Sequence, residues 1–401
     1  MAIAKTKATH IYNAMKKVCF VHNDFPFGGA ERVTIDIARM LAKDGNHEIY
    51  VITRKHYADK MPADYATCPY LKVIEATAGT SKDNYKFVVS TAKELGLTSM
   101  VYVGHLFTEA VPELQQMGCK TIYANHGAAF WEITNKRANA LNSRNKGVLK
   151  ALEYYLLRYP RYNIMHTLEP KYERMYKEDV ATFDAYTVLC NGYKEQISTR
   201  LSLSAAESDK IHVIPNMQLP AAEVCYDKQK EFLFVGRLSY ADKRVDRLIE
   251  AWRIAEQQLP DWRLTIVGDG PELPRLKQRA EGLHGVSFEG YQKPEPYYKR
   301  ASALCLVSEF EGFPLCLVEA QAQGVVPIAM NCTEGVATII NPDGINGMLV
   351  EKGNIEAFAQ KMLEFAALSD DERLKLRHNV VNKSLEYSPQ RVAAEWDKVL
   401  A

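Results

Sequence analysis

Short apolar runs alternate with amphipathic stretches along the whole chain, and that alternation restricts the fold more than any other feature. Val18-Cys19-Phe20-Val21, Ile49-Tyr50-Val51-Ile52, Met100-Val101-Tyr102-Val103, Thr121-Ile122-Tyr123-Ala124 and Ala185-Tyr186-Thr187-Val188-Leu189 lack the polar alternation of a strand with one wet face. They read as parallel strands covered on both sides. Helical spacing fills the gaps, as in Ala30–Leu41. Ile211–Asn216 closes this half, and Gln218–Lys230 breaks the periodicity as a linker would. A second series follows, with Phe232–Val235, Leu264–Val267, Val286–Phe288, Ala303–Val307 and Val326–Ala329. The expected class is α/β, with two Rossmann-like doubly wound domains over 1–217 and 218–385. A final helix is expected within 386–401. Ligands would bind in a deep inter-domain cleft faced by the strand C-termini.

A chain of 401 residues accommodates two such cores. The formal net charge of +1 argues against nucleic acid as a partner. Eight cysteines are scattered without a C-x-x-C pair, which points to a reducing compartment and away from zinc. The start, M-A-I-A-K-T-K-A-T-H, lacks a signal-peptide core, and no window approaches the roughly 18 apolar residues of a membrane span. The expected location is the cytoplasm, with the inner face of the membrane as an option.

The stretch Ser308–Gly324, S-E-F-E-G-F-P-L-C-L-V-E-A-Q-A-Q-G, reads as the tip of a strand, a glycine-proline turn and a helix ending near Gly324. Such a helix start directs free N–H groups and a positive dipole end at an anion. Glu311 on the turn and Glu319 one helical turn in are poor phosphate ligands but good acceptors for sugar hydroxyls. Taken singly, each also fits an ordinary acid near a helix N-terminus. Gly236-Arg237-Leu238 ends a strand and Lys243 follows; together the two cations could clamp a diphosphate, or simply be solvated. Val267-Gly268-Asp269-Gly270-Pro271-Glu272 imitates a dinucleotide fingerprint, but Leu273 fills the third glycine position. Gly28 and Gly29 open a helix and permit close approach of a ligand or a plain tight turn. His126 stands at a strand end, where an imidazole meets a sugar hydroxyl or serves structure alone.

The pattern E-G-F-P-L-x-L-x-E-A-x-A-x-G over Glu311–Gly324 closely resembles the Glu-x7-Glu signature of family-4 retaining glycosyltransferases of GT-B fold. G-R-L-x-x-x-x-K-x-V-D-R-L-I-E-A from Gly236 resembles their donor-phosphate motif, with Arg244 where a glycine is usual. Asp343–Val350 (D-G-x-N-G-x-L-V) matches a further segment, whereas Cys332–Val336 departs from the usual glycine-rich P-E motif. The resemblance implies hexosyl transfer from a nucleotide sugar, a UDP- or GDP-sugar, to a hydroxyl of a glycan or lipid-linked acceptor in polysaccharide synthesis. It implies retention of configuration without a metal or other cofactor; there is no D-x-D cluster in the expected place.

By the same resemblance, Arg237, Lys243 and the backbone of Gly312, Phe313, Pro314 and Leu315 form the diphosphate site. Glu311 orients the donor sugar, Glu319 holds the ribose and His126 contacts the sugar. Gly28, Gly29, Gly236 and Gly268 line the donor, main chain at Tyr291 and Gln292 meets the base, and the final helix within 386–401 crosses back to the first domain. A GT-B epimerase or hydrolase acting without acceptor is the alternative; an oxidoreductase and a non-catalytic binding module are weaker ones. Residues 133–168 carry seven cations against Glu153, with interleaved tyrosines and leucines. They suit either anionic lipid and a lipid-linked acceptor or a solvated helix face and loop.

Overall fold

The computed structural model describes residues 15–26, 28–61, 70–76, 81–144 and 147–400. Among the described residues, thirteen strands are formed. β1 is Lys16–Phe25, β2 His47–His56, β3 Leu71–Glu75, β4 Ser99–Tyr102, β5 Lys120–Ala124, β6 Ala185–Val188 and β7 Ile211–Val213. β8 is Gln229–Val235, β9 Arg263–Val267, β10 Val286–Gly290, β11 Ala301–Leu306, β12 Val326–Asn331 and β13 Met348–Glu351. The seven-stranded sheet runs β3-β2-β1-β4-β5-β6-β7 and the six-stranded sheet β10-β9-β8-β11-β12-β13. Neighbouring strands pair in parallel throughout the resolved registers, such as Val18↔Ile49 and Leu304↔Leu233. Both orders reverse direction beside their first strand, creating the switch points at which doubly wound sheets take ligands.

The strands seen in the sequence are all present, and two more appear. β3 (L-K-V-I-E) is an edge strand only partly buried, so it lacks the unbroken apolar run that marks a central strand. β13 (M-L-V-E) is likewise an edge strand, and one of its four residues is fully buried. The irregular loop allowed for within 133–168 is mostly helical where described. Helices Trp131–Arg144 and Val148–Glu153 continue into π turns at Tyr154–Arg158 and Pro160–Ile164; Lys146 lies outside the described residues.

Contacts divide the chain into two compact units, one holding residues up to Ala124 with Thr182–Asp184 and Leu400, the other 125–181, 185–399 and 401. In the first, the helix Gly29–Leu41 buries Val33, Ile37 and Leu41 at helical spacing. In the second, Phe232, Trp252, Trp262, Ile266, Phe358 and Phe365 build the core of the six-stranded sheet. Phe232 stacks on Trp262 with centroids 4.7 Å apart, and the Trp252 indole N–H donates to His284 O at 2.8 Å. Each such side chain contributes about 1.5–3 kcal/mol by leaving water, which fixes the β8 and β11 ends that carry the site. Among the described residues, no helix is long and apolar enough to cross a membrane.

Candidate active site

The second unit supplies a switch point between β8 and β11, and the loops leaving those strands hold the charged groups. β8 ends at Val235, and Gly236 N–H donates to Val267 O at 3.0 Å. The turn after β9 lies so close that a Cβ at Gly268 would sit 1.8 Å from Gly236 O, and φ there is +144°. Only glycine fits. On the β8 loop, Arg237 Nη2 donates to Asp242 Oδ2 at 2.9 Å while 70% of its side chain stays exposed. Ser239 Oγ donates to the other Asp242 oxygen. Burial would raise the Asp242 pKa, but these donors hold it below the ordinary aspartate value.

Lys243 leaves the same loop in another direction and reaches the turn after β11. Its Nζ lies 2.7 Å from Glu311 Oε1, and Ser308 Oγ donates to that same oxygen at 2.6 Å. Burial alone would lower the Lys243 pKa; the Glu311 charge outweighs it and keeps the ammonium above the usual lysine range. A largely buried ammonium is thereby held charged beside the Glu311 carboxylate at the head of the helix Leu315–Ala322. The first N–H groups of that helix have no intrahelical acceptor by geometry. Gly324, at φ +71°, follows the end of the helix.

The turn itself is fixed by main-chain contacts from elsewhere in the second unit. A Cβ on Gly312 would meet His126 O at 2.5 Å, and one on Gly335 would meet Gly312 O at 1.9 Å. The Tyr193 hydroxyl, on the helix Asn191–Arg200, lies 2.7 Å from Gly312 O and 3.1 Å from Glu311 O and accepts the Gly335 N–H at 3.1 Å. Asn216 Nδ2 donates to Phe313 O at 3.2 Å. Glu309, on the strand side of the turn, accepts from Arg247 at 2.5 Å and Lys352 at 2.8 Å. Although burial would raise its pKa, Lys352 and Arg247 hold it below the usual glutamate value. In the helix, Glu319 Oε2 accepts the Tyr298 hydroxyl at 2.9 Å. Burial, then the Glu319 charge, pushes that phenol far above its ordinary pKa. Beside the turn lies a cavity of about 340 Å³ bounded by Ala128, Trp131, Tyr193, Phe310, Thr333 and Glu334.

The structure thus brings together Lys243, Glu311, Gly312 and His126, with Glu319 further along the same helix and Gly236 and Gly268 packed as neighbouring turns. Arg237 is tied to its own loop by Asp242. Tyr291, 86% exposed, and Gln292 stand in solvent beyond β10. Gly28, at φ +135°, directly precedes the helix Gly29–Leu41 of the first unit. Sequence reasoning missed Tyr193, Ser308, Asn216 and the Arg247–Glu309–Lys352 clamp. Of these, Ser308 had a local signal, standing three residues before Glu311.

A cation, a helix N-terminus and hydroxyl-accepting carboxylates converging on one turn suit a ligand that carries both phosphate and sugar. Residues 218–385 match the family model of glycosyl transferases group 1. An uncharacterized glycosyltransferase of Haemophilus influenzae is 28% identical over 407 residues, covering 96% of this chain and 100% of that protein. The GalNAc-alpha-(1->4)-GalNAc-alpha-(1->3)-diNAcBac-PP-undecaprenol alpha-1,4-N-acetyl-D-galactosaminyltransferase of Campylobacter jejuni is 24% identical, covering 96% and 99%. HepE of Anabaena in complex with UDP-glucose shares the fold with a TM-score of 0.70 over 96% of this chain and 99% of that one, at 15% identity. The chain is a glycosyltransferase of GT-B fold whose residues 218–385 match the glycosyl transferases group 1 family.

Proposed function

We propose that this glycosyltransferase moves a hexosyl unit from a UDP- or GDP-sugar to a hydroxyl of a glycan or lipid-linked glycan, with retention and without a metal. The observation that carries the reading is the Lys243–Glu311 pair, 2.7 Å apart at the head of the helix Leu315–Ala322. The bond from the anomeric carbon to the diphosphate oxygen breaks with its electron pair staying on that oxygen, a bond to the acceptor oxygen forms on the same face, and the acceptor's hydroxyl proton passes to the departing diphosphate. Charge builds on the departing diphosphate, where Lys243, Arg237 and the amides of Gly312, Phe313 and Leu315 stabilise it in place of a metal. Glu311 takes its Lys243 and Ser308 contacts on Oε1, which orients the carboxylate to accept a donor-sugar hydroxyl. Glu319, oriented by Tyr298, holds the ribose. His126 contacts the sugar, Gly28 and Gly29 of the first unit approach the donor, and main chain at Tyr291 and Gln292 reads the base. The acceptor reading draws on the Campylobacter relative, whose name describes a PP-undecaprenol-linked glycan. It places the reaction in polysaccharide assembly on the cytoplasmic side, with residues 133–168 against the inner face of the membrane.

The test is incubation of the full chain with labelled UDP- and GDP-sugars and a lipid-linked glycan, with chelator present. One donor base should support transfer, and the product should keep the donor's anomeric configuration by NMR. Conversion of the nucleotide sugar at equal rate without acceptor would instead establish the epimerase or hydrolase alternative. Activity lost to chelator and restored by a divalent cation would overturn metal independence.

A further inference from the structure

Of the eighteen large hydrophobic residues that stand exposed among the described residues, nine fall between Val148 and Met165. Val148, Leu149, Leu156, Leu157, Ile164 and Met165 are each 65–86% exposed. A soluble monomer rarely leaves so contiguous an apolar patch in water. The segment is held firmly from its inner side. Tyr154 is buried, and Arg137 donates to Tyr162 O at 2.6 Å and pairs with Glu169 at 2.6 Å. Its outward side is therefore a built surface.

Cations are set among the apolar residues. From Arg144 to Leu168 the described residues include Arg144, Lys150, Arg158 and Arg161 against Glu153, and that one acid is paired with Lys150 and Arg158. Tyr155 and Tyr159, both exposed, add rings of the kind that settle at headgroup depth. Leucine and valine facing out, with basic residues beside them and almost no acid, is the composition of a helix lying in a membrane interface. A second copy of the chain is a poorer occupant, because a two-fold pairing sets like cations against each other. We infer that residues 148–165 are a docking surface for an anionic phospholipid bilayer, with the apolar side chains entering the acyl boundary and the cations meeting the headgroups. This rests on the reading of a membrane-presented acceptor, and explains how such an acceptor would be met at its own surface.

The test is co-sedimentation of the full chain with vesicles of phosphatidylcholine alone and of phosphatidylcholine mixed with phosphatidylglycerol, at low salt. Binding to the mixed vesicles should be roughly a hundredfold tighter, for a net excess of three cations near the surface. The double variant Leu149→Asp/Leu156→Asp should lose binding to both. Both positions face water, so circular dichroism should be unchanged. Arg161→Glu should narrow the preference for anionic vesicles. Equal binding to the two vesicle types, or none, overturns the inference. So does a wild-type dimer that the double variant dissolves. Stabilisation by UDP or GDP without vesicles is read in parallel. If it persists while vesicle binding fails, the docking surface alone falls; vesicle binding without it leaves docking standing and removes the nucleotide-sugar reading.

Discussion

Lys243 and Tyr193 act on the same turn, one through charge and the other through a hydroxyl, and their loss should differ accordingly. Lys243→Ala removes the ammonium 2.7 Å from Glu311; transfer should fall by roughly 10²–10³ in kcat. A rate within a few-fold of wild type would remove Lys243 from the chemistry. Tyr193→Phe keeps the ring but orphans the Gly335 N–H and the Gly312 carbonyl. Leaving buried groups unpaired costs about 1–3 kcal/mol, so the urea midpoint should drop, and kcat should fall as the Glu311 turn loosens. Unchanged stability would mean that solvent satisfies both groups. The two residues also differ in how they could be read from sequence. Lys243 stands in a patterned string, whereas Tyr193 works through main-chain atoms of Glu311 and Gly312 more than a hundred residues away. Nothing local to Asn191–Arg200 announces that.

At the scale of elements, the apolar runs specified most strands because a parallel strand buried on both faces cannot also be polar. The edges β3 and β13 escaped for the converse reason. Helix starts after β1 and β9 were legible from their glycines, yet the glycines serve different ends. Gly268 has backbone 1.8 Å from where a Cβ would stand, whereas nothing lies within 4 Å of that point at Gly29. Gly268→Ala must therefore push β8 and β9 turns apart, and should cost about 2–4 kcal/mol, in the range of other strained backbone sites. Gly29→Ala, at the first position of its helix, should change stability by less than about 0.5 kcal/mol. Chemical denaturation of the two variants checks the contrast; equal losses would show that the β8–β9 turns yield more readily than packed backbone should. The sequence pattern located both glycines, but the crowding at Gly268 arises from another strand end and so could not be read locally.

The molecule as a whole has a net charge of +1, but three buried or partly buried acids with lowered pKa values lie in the second unit. Glu231, Asp242 and Glu309 all lie there. Burial would raise each pKa, and neighbouring donors hold each below its ordinary value. Glu231 is fully buried at the start of β8 and accepts from Arg300 and from Arg263, both at 2.9 Å. A depressed native pKa means that the unfolded chain binds more protons at acid pH. The stabilisation is therefore complete above about pH 5 and is lost as pH falls below about 4, through the native values. All four tryptophans, Trp131, Trp252, Trp262 and Trp396, belong to the second unit, so their fluorescence follows that unit's unfolding. Glu231→Gln should lower its urea stability at pH 7 by roughly 1–3 kcal/mol, less than a fully buried pair because both arginines reach solvent. As pH drops below about 4 the two proteins should converge, since protonated glutamate and glutamine then present the same neutral group to the arginines. A gap that stays constant across that window would mean that Glu231 holds β8 by shape and neutral hydrogen bonding, and that charge in this unit belongs to the Lys243–Glu311 turn rather than to the fold beneath it.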